Sequence, residues 1–281
     1  MKLDCIDWNE MWKEESCASH WQDASKKGLW DKRAYKFNKK VGKFITGGNR
    51  DKGDYISNVL AKIEIKPGWT VLDIGSGPGS LAIPLAQKGA KVTAMDISLE
   101  MLKYLKINAA AAGADNITTV NSSWETAMAD KLVVIHDVVV ASRSLTPVDI
   151  RQTMSDLDSI ARYAVYITFP IIHLPFDWEA YKAIGRKGKK NRSPYIYVYN
   201  TLYQMGIAAN VEIIYSVVRT NYESIEDAIE NLQWRTEPFT PEERAKLVKF
   251  LEKKFAARPP DQSFIHEGRS VWALISWKKE S

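Results

Sequence analysis

From residue 70 onward the chain alternates between short apolar runs and longer stretches of helical period. Thr70–Ile74 is a short apolar run ahead of a glycine turn and predicts a buried strand. Lys91–Met95 predicts a second strand, Asn116–Val120 a third, Asp137–Ala141 a fourth and Ala164–Phe169 a fifth. Val211–Val218 and Val271–Trp277 predict the sixth and seventh. Helical period fills the gaps at Ser80–Gln87, Val148–Ala161 and Tyr195–Met205. In another gap Ser98 serves as N-cap, Leu102, Leu105 and Ala109 share one face, and Gly113 ends the helix. Strands separated by helices imply an α/β fold with a mostly parallel, doubly wound sheet and right-handed crossovers.

The flanking segments have other patterns. Residues 1–60 read as helices over Trp8–Glu15, Leu29–Phe44 and Tyr55–Ile63, interrupted by Gly47, Gly48 and Asn49. This suggests an N-terminal helical cap over 1–50, with the main domain over 51–281. Within that domain, 170–194 carries Pro170, Pro175, Pro194 and the basic run Gly185–Arg192, and reads as a lid loop. Residues 222–268 carry helices over Ile225–Trp234 and Pro241–Phe255 and read as an insertion at the sheet edge.

Composition narrows the function. A chain of 281 residues suffices for one large domain with a cap. The net charge of +5 is mild and speaks to solubility more than to partners. The first residues bring Asp4 and Asp7 early and lack a signal-peptide stretch, and no apolar run is long enough for a membrane span. Cys5 and Cys17 form no disulfide framework, so a cytoplasmic location is expected. His20, His136, His173 and His266 are scattered without ligand spacing, so no metal is expected.

The chemistry concentrates in the turn after the first strand, where Asp73 leads into Gly75, Ser76, Gly77, Pro78 and Gly79. Ligands of parallel sheets collect beyond the carboxyl ends of the strands, and glycines let a bulky cofactor rest on bare backbone. Asp96 ends the next strand, where an acid can bond ribose hydroxyls. A dinucleotide turn would read G-x-G-x-x-G and hold a pyrophosphate with its amides. Here the third glycine comes one place early, Pro78 removes an amide and Asp73 would repel phosphate. The pattern favours a nucleoside cofactor with an amino-acid part and no phosphate.

Residues Val71–Leu145 resemble the core of class I, Rossmann-like S-adenosylmethionine-dependent methyltransferases, in the motif Asp73–Gly79 and the acid Asp96. Trp30–Asn38 resembles the helix that caps the cofactor in small-molecule members. The resemblance implies a transferase that performs methylation with S-adenosyl-L-methionine and releases S-adenosyl-L-homocysteine. It also implies a seven-stranded sheet whose last strand is antiparallel. Carried onto this sequence, it gives Asp73 the cofactor ammonium, Gly75, Ser76 and Gly77 the methionine portion, Gly79 a place in the cofactor-binding turn, and Asp96 the ribose. Ile97 and Met101 would border the adenine. After the third strand many relatives carry an acid; here Asn121, Ser122, Ser123, Trp124 and Glu125 follow, leaving Ser123, Trp124 and Glu125 as adenine candidates. The fourth strand ends in Ser142, Arg143 and Ser144, where the family lines the border of cofactor and substrate.

Arg143 suits a substrate carboxylate or phosphate, and His173 is a candidate base. Trp30 and Tyr35 in the cap are candidate substrate contacts. His136 and the tryptophans at 8, 12, 21 and 30 read chiefly as packing. The basic run Arg186–Arg192 reads as a solvated loop, with nucleic acid the less favoured partner. A small-molecule acceptor is the expectation. An RNA- or protein-modifying methyltransferase and a non-catalytic cofactor-binding protein remain as alternatives.

Overall fold

The computed structural model describes residues 6–16, 27–45, 54–172, 175–186, 194–233, 236, 238–256 and 264–279. Seven strands are joined by helices: β1 (Thr70–Ile74), β2 (Lys91–Asp96), β3 (Ile117–Asn121), β4 (His136–Ser142), β5 (Ala161–Ile172), β6 (Asn210–Tyr222) and β7 (Phe264–Lys278). The helices are α1 (Trp8–Ser16), α2 (Lys27–Ile45), α3 (Tyr55–Leu60), α4 (Ala82–Gln87), α5 (Leu99–Ala111), α6 (Trp124–Ala129), α7 (Ile150–Ile160), α8 (Pro175–Ala183), α9 (Pro194–Gln204), α10 (Ile225–Gln233) and α11 (Pro241–Ala256). No described helix is long and apolar enough to cross a membrane.

The strands form one sheet in the order β3-β2-β1-β4-β5-β7-β6. β1 pairs in parallel with β2 and β4, β2 with β3, and β4 with β5. β7 runs antiparallel to both β5 and β6. The expected mostly parallel sheet with an antiparallel last strand is therefore present.

Both faces of the sheet are covered, and the alternation of strand side chains sorts them into two cores. Val71, Val92 and Val138 pack with Tyr55, Leu85, Leu102 and Leu105 from α3, α4 and α5. Leu72, Met95 and Val139 pack with Trp124, Met154, Leu157 and Leu202 from α6, α7 and α9. A strand buried on both sides has no polar face, which is why β1 and β4 read as mostly apolar runs, with Asp73 the buried exception in β1. Each fully buried Leu or Val contributes about 1.5–3 kcal/mol.

The prolines of 170–194 do not mark a loop throughout. Pro170 lies within β5 beside a register shift against β7, a place that tolerates a residue with no ladder donor. Pro175 and Pro194 open α8 and α9, where a missing N–H costs nothing. Ala180 and Ile184 then pack with Tyr222, Ala228, Ile229, Leu232, Leu247 and Leu251 in a third core. α8, from the segment expected as a lid loop, thus packs with α10 and α11, from the segment expected as an insertion at the sheet edge, in one helical subdomain. α6 is a further departure: its six residues follow the N-cap Ser123, whose hydroxyl accepts from Thr126 N.

The two N-terminal helices go to different places. α1 joins the second core: Trp8 and Trp12 lie 6.2 and 5.8 Å from the Tyr197 ring, and Trp12 Nε1 donates to Pro147 O at 2.7 Å. Trp21 lies outside the described residues. α2 lies along α5, and its second contact surface faces α10. His136 holds the start of β4, with Nδ1 2.7 Å from Val134 O and Nε2 2.8 Å from Thr93 Oγ1. That position is at the opposite end of the sheet from the glycine turn.

Candidate cofactor site

β1 delivers Asp73 to the carboxyl edge of the sheet, and the chain then turns through glycines in left-handed conformation: Gly75 (φ 68°), Gly77 (φ 54°) and Gly79 (φ 99°). Gly75 N and Ser76 N donate to Met95 O at 2.7 and 2.9 Å, which ties the turn to β2. Gly77 N donates to Asp96 Oδ2 at 2.8 Å, and Gly79 N to Ser76 O at 3.1 Å. Pro78 has no N–H. Every amide between Gly75 and Gly79 is therefore engaged inside the protein, and none is left to cradle a phosphate.

The glycines have different tasks. A β-carbon on Gly75 would overlap Ser144 Cβ, so this position lets the end of β4 close against the turn. A β-carbon on Gly77 would meet nothing within 4 Å. The bare backbone there faces open space, as a cofactor bed requires.

Two acids flank the bed. Asp73 is 2% exposed; one side of its carboxyl is met by the backbone N–H of Ala82, and Oδ2 has no partner. Burial, then the neighbouring charge of Asp96, pushes the Asp73 carboxyl up to about 7. Asp96 is also buried and its pKa raised by that burial. Its Oδ1 accepts from Ser98 N at 2.8 Å, which fixes both oxygens at the end of β2. Ser76 Oγ, Ser122 Oγ and Trp124 Nε1 are buried without a protein partner. Buried polar atoms are ordinarily satisfied, so the two orphans at the turn itself, Asp73 Oδ2 and Ser76 Oγ, mark a place for a polar ligand; the orphans Tyr197 Oη, Thr201 Oγ1 and Ser216 Oγ lie on α9 and β6. Paired acids and a phosphate-free bed fit S-adenosylmethionine, which brings an ammonium and ribose hydroxyls.

The remaining expected residues divide by location. Met101 is buried and Ile97 half-buried at the start of α5. Asn121 Nδ2 donates to Asp96 O and Ile97 O, both at 3.0 Å, which steadies the loop carrying them. Trp124 is buried against the second core, Glu125 is exposed, and the Ser123 hydroxyl caps α6. Ser122, which sequence reasoning passed over, has the unpartnered hydroxyl. Trp30 packs 6.1 Å from Phe37, and Tyr35 is 61% exposed. His173 lies outside the described residues.

At the border with β4, Ser144 Oγ donates to Ile74 O at 2.6 Å. Arg143 adopts φ 58°, a left-handed conformation uncommon outside glycine and asparagine. Its N donates to Thr168 Oγ1 at 2.9 Å. The Tyr55 hydroxyl lies 2.8 Å from Ser142 Oγ and 2.7 Å from Thr168 Oγ1, and the Arg143 guanidinium lies 4.1 Å above the Tyr55 ring. Tyr55 was visible in sequence only as a helix start; its part here depends on packing between distant segments.

α2 closes another side. Asp31 accepts from Ser98 Oγ at 2.5 Å and Glu100 N at 3.3 Å, and its charge helps raise the pKa of Asp96. Asn108 Nδ2 donates both to Asn38 Oδ1 (2.8 Å) and to Pro78 O (2.9 Å), linking α2 to the turn itself. The other surface of α2 meets α10, where Lys36 pairs with Asp227 and Glu230, Lys39 pairs with Glu223, and Arg33 donates to Glu230 O. Asp31, Ala34 and Asn38 are spaced for one helix face, and Arg33 and Lys36 for another.

Comparison with known proteins agrees with this geometry. A methyltransferase-domain family model matches residues 71–163. An uncharacterised protein of Haemophilus influenzae is 34% identical over 250 residues, covering 88% of each chain. A ubiquinone biosynthesis O-methyltransferase of Vibrio vulnificus is 32% identical over 146 residues, covering 51% of this chain and 53% of that one. A solved structure from Bacillus halodurans shares the fold with a TM-score of 0.51 at 14% identity, covering 81% of this chain and 99% of that one. The chain belongs to the class I, Rossmann-like S-adenosylmethionine-dependent methyltransferases. Its cofactor is S-adenosylmethionine.

Proposed function

We propose that the protein transfers the methyl group of S-adenosylmethionine to a small-molecule acceptor bound between the end of β4, α2 and the helical subdomain. The observation that carries this reading is the double fastening of α2, to Ser98 and Asn108 on one side and to α10 on the other. Such a helix walls the site and favours an acceptor small enough to be enclosed. The Vibrio vulnificus relative, named for ubiquinone biosynthesis, supports the same class. The RNA alternative loses support because Arg186, the first cation of the basic run, donates to both carboxylate oxygens of Glu243 at 2.7 Å.

The bound cofactor supplies a sulfonium-activated methyl group. Asp73 receives the ammonium, its unpartnered Oδ2 gaining the donor it lacks, and Asp96 receives the ribose hydroxyls on its remaining lone pairs. Ile97, Met101 and Trp124 border the adenine, with Ser122 and Glu125 as polar neighbours. Gly75 and Gly77 leave the methionine portion room on the turn, and Ser76 offers it a hydroxyl. Ser142, Arg143 and Ser144 line the acceptor side. Tyr55 is a scaffold there: burial pushes its hydroxyl pKa up, which keeps it protonated and withholds a phenolate base. Catalysis then consists mainly of alignment and exclusion of water.

Labelled S-adenosylmethionine incubated with the protein and fractionated cell extract tests this reading. Label should enter the low-molecular-weight fraction; label confined to RNA or protein would overturn it.

The Asp73 carboxyl adds a pH signature. Its folded pKa is raised, so its contribution to the stability of the unliganded protein is full below the ordinary carboxylate range. That contribution is lost as pH rises toward about 7. Ammonium binding selects the carboxylate, so affinity for S-adenosylhomocysteine should rise about tenfold between about pH 6 and about pH 8, with proton release on binding. Asp73→Asn should bind weakly and without that slope. Calorimetry in buffers of different ionisation enthalpy reads both, and a flat profile in the wild type would remove the assignment.

A further inference from the structure

The surface at the end of β4 carries a feature that methyl-donor binding does not use. Arg143 is exposed, and its guanidinium has no carboxylate partner among the described residues. It is nevertheless held in place. The ring of Tyr55 lies 4.1 Å beneath it, and that of Trp272 lies 6.0 Å away. Tyr55 and Trp272 meet edge to face at 5.5 Å, and Trp272 Nε1 is fixed by Ser270 Oγ at 2.6 Å. Thr168 Oγ1 holds both the Arg143 backbone and the Tyr55 hydroxyl. A left-handed conformation at arginine is unfavourable, and strain of this kind is retained where a function needs the side chain in one place.

We infer that Arg143, seated on Tyr55 beside Trp272, is the recognition site for the carboxylate of a flat, aromatic-type acceptor. The inference rests on the methyltransferase reading above and names the acceptor's class. A guanidinium stacked on a ring keeps its N–H edges in plane, which suits two parallel bonds to a carboxylate. A phosphate dianion would call for a second cation, and Tyr55, Trp272, Ser142 and Thr168 bring only rings and hydroxyls. The half-buried face of Trp272 offers packing for a flat body next to the charge. Ser144, the next residue along, contacts the glycine turn, so a carboxylate on Arg143 is held within one residue of the cofactor bed.

The test uses the full chain loaded with S-adenosylhomocysteine, titrated with benzoate, benzamide and phenyl phosphate by ligand-observed NMR. Benzoate should bind saturably to the wild type, with benzamide about tenfold weaker or worse. Arg143→Asn should weaken benzoate by about tenfold or more, and Arg143→Lys by an intermediate amount, because lysine keeps the charge without the fork. Asparagine accepts the left-handed backbone, so the Asn variant should melt at or above the wild-type temperature; a purely structural arginine would instead lower it. Absent benzoate binding, equal benzoate binding in Arg143→Asn, or an Arg143-dependent preference for phenyl phosphate would each overturn the inference. S-adenosylhomocysteine affinity is measured separately and should be unchanged in Arg143→Asn. Its absence in the wild type would overturn the cofactor site whatever benzoate does.

Discussion

Replacing Asp96 by alanine is expected to weaken S-adenosylhomocysteine binding by about 100-fold, with the fold retained. The carboxylate has a free lone pair on each oxygen after accepting from Gly77 N and Ser98 N, and two charge-assisted hydrogen bonds to ribose are worth about 3 kcal/mol together. Folding survives because the same change removes a buried charge while costing two backbone donors their acceptor, effects of opposite sign. Gly77→Asp should act similarly by another route. Aspartate tolerates the left-handed conformation, and its β-carbon meets open space, so the chain folds while the side chain occupies the cofactor bed. Isothermal calorimetry with melting curves reads both, and wild-type affinity in either variant would remove the turn from the site.

Gly75→Ala should behave in the opposite way, failing first in stability. Its β-carbon would collide with Ser144 Cβ, an atom rooted in the backbone that cannot swing aside. Adding the left-handed strain, the cost is about 3 kcal/mol or more, a fall of roughly 6–12 °C in melting temperature. Ser144→Gly in the same chain should recover the steric part and leave the backbone strain. A single variant that melts within a degree of the wild type would show that β4 does not close against the turn.

The strand positions were readable in the sequence because burial on both faces writes short, mostly apolar runs. The turn and Asp96 were readable because their chemistry is local in the chain. The subdomain was harder: Pro175 looked like a breaker and is a helix opener, and α8 gains its burial from α10, α11 and the end of β6, all distant in the chain. In the site, Ser122 and Ser123 were indistinguishable until α6 took one of them as its cap. Tyr55 and Trp272 carried no signal, and Asp31 only that of the cap helix it belongs to, since each reaches the site from a separate part of the chain. Their partners Ser98, Thr168 and Arg143 lie 67, 113 and 129 positions away.

The engaged amides of the glycine turn also bear on which metabolites can compete for the site. ATP and the nicotinamide dinucleotides share adenosine with the methyl donor, and all are abundant in cells. Their phosphates would arrive at a turn whose amides from Gly75 to Gly79 are already engaged, with two acids alongside. Adenosine joined to an amino-acid chain is welcomed by the same surface. Selectivity against the nucleotide pool is therefore set by exclusion, in the backbone itself, and an inhibitor built on adenosine would gain more from a cationic tail than from any phosphate mimic.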